Sequence, residues 1–439
     1  MKGHLAIARI AFPIILANAT VPLLGLADTA AIGHTGGAQE LGAIALGALV
    51  FSFLYWGFGF LRMGTTGFIA QAAGAGDYAE VRDVALRAGV MGVAIGVLLV
   101  ALQYVIGIAA LYLLDASDGV KHGVHAYFGV RIWGAPATLT TFAVLGVLIG
   151  LGKTKQLLWL QLALNGLNIA LNIFFVIGLG WGVEGIAAGT VIAEWMSLLL
   201  GIWMVRRIFH VMQPQVDNPW SWLRLSDRGK FRRMATTNGN IMVRTLALLV
   251  GFAWFANQGA RFGDTILAAN HILLQFVSFS AFFLDGYAYV VEMMVGRAVG
   301  ARSEQTFRKE LKRANQLAGA TALLLALLFF GIGTPAIQGL TTDAAVRAVA
   351  QQYLPYACGY ILLSFYAFQL DGVFIGATRS REMRNASVFS LAVFLVCSAV
   401  LATHAANAGL WLAFIIYVVV RGLSLAYYLP RVVALFAKR

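Results

Sequence analysis

Ionisable side chains are scarce inside the long apolar stretches of this sequence, and the few that stand there mark where chemistry is possible. They are Asp28, Arg62, Arg131, Glu194, Arg244, Asp285, Glu292, Asp371 and Arg421, with His271 and His404. A charge near the centre of a hydrocarbon layer costs roughly 2.5–3.5 kcal/mol on insertion scales, so each needs a counter-ion or a wet cavity. Asp28 shares the first stretch with Pro13 and Pro22, and proline removes a backbone donor and permits a kink. A carboxyl group beside a bend at Pro22 can couple gain and loss of a proton to helix shape. The other reading is a fixed ion pair with a buried arginine, or a cap on a broken helix.

Asn165, Asn168 and Asn172 are spaced three and four apart and therefore share one helix face. Three amides on one face can hold a proton-bridging water, a cation or the Asp28 carboxyl; they can equally hydrogen-bond between helices. Asp285 and Glu292 lie seven apart on one face, Asp371 occupies a later stretch, and Arg244 is the nearest candidate countercharge. Asp285, Asp371 and Arg244 thus form a possible second site, or a charge pair that only fastens helices. Tyr55, Tyr127 and Tyr287 are candidates to line a cavity for apolar cations, though aromatics at helical spacing mostly pack.

The elements that must position these groups follow from composition. Of 439 residues, 60% are apolar and only 12% charged, with a mean hydropathy of +0.79, far outside the range of a soluble domain. A span needs about 20 apolar residues, and such stretches recur near 7–32, 41–73, 87–114, 122–150, 157–180, 184–206, 235–261, 266–299, 314–340, 348–376, 386–407 and 409–436. With the N-terminus inside, the inner loops collect nearly all Lys and Arg, while the outer loops receive only Lys121, Arg261 and Arg347. That bias places both termini in the cytoplasm and makes the first stretch a retained span. The formal charge of +13 sits in these short loops and reads as topology, which leaves no nucleic-acid groove. Cys358 and Cys397 lie in apolar segments without a CxxC spacing, which supports neither a disulfide framework nor a metal site.

Sliding the chain on itself by about 226 residues superposes Gly74-Ala75 on Gly300-Ala301, Arg82 on Arg308, Gly146 on Gly372, Gly150 on Gly376 and Lys153-Thr154-Lys155 on Arg379-Ser380-Arg381. Six spans separate equivalent points, so the halves share one membrane orientation. The expected fold is an all-α integral membrane protein with twelve transmembrane helices in two parallel six-helix bundles: an N-lobe over 1–208, a cytoplasmic linker over 209–233 and a C-lobe over 234–439. Two such bundles form a central cavity that opens to either side as one rocks against the other. That is the architecture of a transporter. No HExxH, GxSxG or paired-aspartate motif lies in a span, so an enzyme is not expected.

The segments TVPLLGLADTAAIGH at 20–34, LRMGTTGFIAQ at 61–71, LNIALN at 167–172, FLDGYAYVVE at 283–292, LDGVFIGATRSREMRN at 370–385 and RGLSLA at 421–426 resemble the multidrug and toxic compound extrusion (MATE) transporters, in particular their DinF-like branch. The resemblance spreads over nearly the whole chain. It implies a V-shaped pair of lobes and antiport of cationic, amphipathic compounds against H⁺ or Na⁺, with no other cofactor. It also implies a monomer in a bacterial-type cytoplasmic membrane. By motif, Asp28 is the central acid of the N-lobe, with Asn168 and Thr190 around it. Family members often carry an aspartate where this chain has Asn172. Fewer carboxylates weaken a hard-cation site, so the resemblance points to H⁺ more than Na⁺. The alternatives are a Na⁺-coupled exporter and a two-lobe flippase for lipids or lipid-linked sugars; a flippase calls for a more strongly cationic cavity than this mixture of acids and bases provides.

Overall fold

Where lipid is the solvent, a spanning backbone has to satisfy its own hydrogen bonds, and an apolar run is left with the helix. The computed structural model describes residues 2–35, 37–113, 117–212 and 227–437, excluding the side chains of residues 2, 21–35, 38 and 113. Among the described residues there are helices and short connections and no strand. In chain order the helices are α1 (Lys2–Thr35), α2 (Ala38–Gly57), α3 (Phe60–Gly74), α4 (Tyr78–Ala101), α5 (Gln103–Leu113), α6 (Asp118–Arg131), α7 (Ala135–Gly150), α8 (Thr154–Ile173) and α9 (Gly182–Met212). They continue with α10 (Arg228–Arg261), α11 (Asp264–Gly300), α12 (Glu304–Leu340), α13 (Ala344–Gly376) and α14 (Ser380–Ala437).

Several spans are built from two pieces. A 3₁₀ turn at Ile132–Gly134 joins α6 to α7, and a π-helical turn at Phe174–Gly178 extends α8. The 58 residues of α14 would extend about 87 Å as one rod, nearly three times a bilayer core of about 30 Å. Its backbone leaves helical geometry at Ala405 and Ala406, so it comprises two spans. Eleven apolar stretches long enough to cross a membrane are found among the described residues; with the last counted as two, they make twelve. The backbone of α1 is helical from Lys2 to Thr35, through both Pro13 and Pro22. The side chains of Pro22 and Asp28 lie outside the described residues.

The internal repeat has a geometric counterpart. Asp77 caps α4 by accepting a hydrogen bond from the Glu80 amide, and Ser303, its repeat equivalent, caps α12 by accepting from Thr306. The amides of Asp77 and Ser303 donate back to Ala72 O and Ala298 O, and those of Lys153 and Arg379 to Leu148 O and Phe374 O. These are the long bonds of a Schellman turn. Each turn needs a positive φ, found at Gly76 and Arg302 and again at Gly152 and Thr378. Glycine adopts that region freely; the second half holds it with ordinary residues.

Helix crossings repeat as well. A Cβ on Gly146 would come 2.6 Å from the carbonyl oxygen of Arg62, and one on Gly372 would come 2.6 Å from that of Ala288. Both glycines let two backbones touch, the route by which helices associate where lipid removes the hydrophobic incentive.

The chain divides into two compact units. One comprises Leu16–Ala73 and Asp77–Met234; the other comprises Met1–Ile15, Gly74–Gly76 and Ala235–Arg439. The second is centred on packed rings, with Phe255 edge-on to Trp411 at 4.9 Å and Tyr360 stacked on Phe414 at 4.6 Å. Asn270 and Asn407 exchange amide hydrogen bonds of 2.8 and 3.0 Å, and the Trp411 indole donates to Asn270 Oδ1. At its start, α10 is held by Asp227, whose carboxylate accepts from the amides of Lys230 and Gly229.

Gly146→Ala and Gly372→Ala should each destabilise the protein by about 1–3 kcal/mol, seen as a lower melting temperature in detergent. Gly166→Ala, where a Cβ meets nothing within 4 Å, should be neutral or stabilising.

Candidate functional site

The polar centre of the first unit is built on α8. Its three-and-four spacing carries Asn165, Asn168 and Asn172 to one buried face. Asn172 Nδ2 donates to Asn168 Oδ1 at 2.7 Å, and Asn165 Nδ2 donates to Thr20 Oγ1 at 2.6 Å. The hydroxyl of Thr20 in turn donates to Ala17 O on α1. On α9, Gly189 lies against Asn172, where any Cβ would collide with Oδ1. The neighbouring Thr190 is buried and donates to Ile186 O, which leaves its oxygen able to accept. The structure therefore brings Asn168 and Asn172 together on α8, with Asn172 against Gly189 of α9 and Thr190 buried beside that glycine. No residue of α8 is acidic. The π-helical turn begins two residues after Asn172, and such turns cluster at functional sites.

Two charges that the sequence presents separately meet in the same unit. Arg131, at the end of α6, and Glu194, on α9, form a bidentate pair at 2.7 and 2.6 Å, both buried. The guanidinium lies over the rings of Phe51 at 5.1 Å and Tyr55 at 5.4 Å. Tyr127, one turn before Arg131, packs edge-on to Phe51. Tyr55 and Tyr127, read from sequence as cavity candidates, are thus buried around an ion pair. What could have revealed the pair was that Arg131 and Glu194 are intramembrane charges of opposite sign in one half.

In the second unit, Asp371 on α13 is the hub. Its Oδ2 is paired with Arg244 of α10 and faces Arg421 of α14 at 3.7 Å. Asp371 is only 4% exposed, and its Oδ1 has no hydrogen-bond partner. Sequence reasoning gave Arg421 little weight, yet it completes the cluster and also lies over the Phe368 ring at 5.7 Å. Asp285 is half-buried and acts electrostatically on Arg421. Tyr287 is buried and accepts a hydrogen bond from Thr321 at 3.2 Å. Glu292 is buried on α11, on the face that meets Gly376. Among the described residues no group of His, Cys, Asp or Glu is arranged to hold a metal ion.

The MatE family model matches the chain twice, over residues 13–174 and 241–401, once in each half. DNA damage-inducible protein F of Escherichia coli strain K12 is 36% identical, over 96% of this chain and 91% of that protein. The probable multidrug resistance protein NorM of Neisseria meningitidis serogroup B is 24% identical, over 81% of this chain and 78% of its own. Among solved structures, the Vibrio cholerae MATE transporter VcmN in its bent form superposes with a TM-score of 0.88 at 20% identity, covering 99% of this chain and 98% of that one. An outward-facing multidrug resistance MATE family transporter of the MOP superfamily gives 0.86 at 18% identity, over 99% and 96%.

Asp371→Asn should be among the costliest single changes in the second unit, because two buried guanidiniums then lack their carboxylate. A loss of about 3–5 kcal/mol is expected, read as detergent melting. Asp285→Asn, at a more open position, should cost clearly less in the same measurement.

Proposed function

The chain belongs to the MatE family, the multidrug and toxic compound extrusion transporters, and from that premise we propose that it exports cationic, amphipathic compounds in exchange for protons. The observation that carries the choice of proton is the amide ladder of the first unit. Asn168, Asn172 and Thr190 offer neutral oxygens and amide donors, and α8 adds no second carboxylate beside them. Hard cations such as Na⁺ favour several oxygen ligands, carboxylates foremost. A lone carboxyl group among amides suits a proton better, since amides can hydrogen-bond to either of its forms.

Asp28 is that carboxyl in this reading. It takes up a proton from the outer side, the neutral acid lets go of its partners, α1 bends near Pro22, and the substrate is released outward. Return to the inward-open state delivers the proton to the cytoplasm. Proton and drug need only bind the two states with different affinity for exchange to follow. Aromatic walls suit a flat organic cation, and Tyr287 is a candidate contact. In the second unit, Asp371 is engaged by Arg244 and Arg421, which favours a fastening role there over ion coupling. The protein works as a monomer in the cytoplasmic membrane, with both termini inside.

Cationic-dye efflux from proteoliposomes, driven by an imposed pH gradient or an imposed Na⁺ gradient, tests the reading. Wild type should follow the pH gradient, and Asp28→Asn should lose at least tenfold of that rate. Efflux driven by Na⁺ alone, or undiminished in the variant, would overturn proton coupling through Asp28.

A further inference from the structure

The Arg131–Glu194 pair is costly for a chain in lipid. Two ions must be stripped of water, and apolar residues of similar volume often fold as stably. Yet the surroundings are shaped to admit it. Gly134 sits in the 3₁₀ turn between α6 and α7, where any Cβ would strike Glu194 Oε2 and lie 2.8 Å from Arg131 Nη1. The next residue of α9, Trp195, donates its indole N–H to Trp133 O in the same turn at 3.1 Å. Two consecutive residues of α9 are therefore tied to one broken point of the neighbouring span. Of the elements around the pair, α2 and α6 also present titratable groups, Tyr55 and Tyr127. Both rings pack close by.

We propose that Arg131 and Glu194 are positioning residues for the transport reaction, acting through the register of α9. The inference rests on the proton-coupling reading above. Glu194 stands four residues, about 6 Å along the axis, beyond Thr190. The residue before Thr190 is Gly189, whose contact with Asn172 leaves no room for a Cβ. A bidentate pair fixes both the distance and the rotation of the two helices it joins. It therefore determines how closely Gly189 approaches Asn172 and which way Thr190 faces. Without the tie, α9 can turn or slide while remaining a buried helix, and the coupling site opens although the unit stays folded. Misplacement of a site by as little as 1 Å can cost about a hundredfold in rate.

Two variants separate positioning from simple support. Arg131→Met with Glu194→Leu replaces both charges by apolar groups of similar volume, which leaves stability close to wild type. Gly134→Ala keeps both charges and crowds the carboxylate. Each is reconstituted, and dye efflux and proton uptake are measured together as a function of dye concentration. The double variant should melt near wild type in detergent; in both variants, with rates taken per folded protein, KM should stay within about twofold while the maximal rate falls by ten- to a hundredfold and fewer dye molecules leave per proton. A wild-type rate in the double variant overturns the proposal, as does a fall that matches the loss of folded protein. Asp28→Asn in the same assay keeps the two readings apart. If it still follows the pH gradient, the coupling reading fails; if it is dead while the double variant works, the positioning inference alone fails.

Discussion

A charge or hydrogen-bonding group inside a hydrocarbon layer has only the protein to answer it, and the interior of this chain is organised by that requirement. Arg131 is met by Glu194, and Arg244 and Arg421 are met by Asp371. Asn270 is met by Asn407 and Trp411, and the amides of α8 are met by one another and by Thr20. Apolar surface alone holds helices together weakly in lipid. Glycine contacts set how near the helices come, and polar pairs set which way they face. The crossings at Gly146 and Gly372 do the first; the ion pairs do the second.

The scaffold is duplicated, but the chemistry is not. Caps, Schellman turns and glycine crossings recur at matching places in both halves. In the same register, however, Asp28 falls on Trp254, Arg131 on Ala357, Asp285 on Gly59 and Asp371 on Leu145. Two copies of one frame have been given different interiors. The first holds an amide ladder beside the Arg131–Glu194 pair. The second holds a guanidinium-rich cluster around Asp371 against a wall of packed rings. A shared backbone plan with separate charge plans lets one half specialise in ion coupling without requiring the other to do so.

Much of this was legible in the sequence. Long apolar runs have one solution in lipid, so twelve spans could be read from composition, and the fixed spacing of Gly146 and Gly150 from Gly372 and Gly376 exposed the repeat. The shared face of Asn165, Asn168 and Asn172 follows from helical period alone. What could not be read were distances between spans. Arg131 and Glu194 lie on different helices, and no periodicity says that they touch. For the same reason Arg421 was undervalued, since its partner Asp371 lies fifty residues earlier. Tyr55 and Tyr127 show the same limit: ring type and spacing do not reveal that both rings are buried near the Arg131 guanidinium. The helix of α1 runs on through Pro13 and Pro22, so a proline within a span need not end it.

Charge balance connects the fold to the proposed exchange. In the proposed exchange the mobile positive charge answers Asp28, while Glu194 is already met by Arg131 and Asp371 by Arg244 and Arg421. Arginine cannot give up its proton in a protein, so those paired carboxylates keep their counter-ions. A proton can neutralise the Asp28 carboxyl, and so can an organic cation. Each satisfies the same group, and the presence of one lowers the gain from the other. Competition of this kind is the thermodynamic core of antiport: whichever ligand binds one state better drives the other out of it.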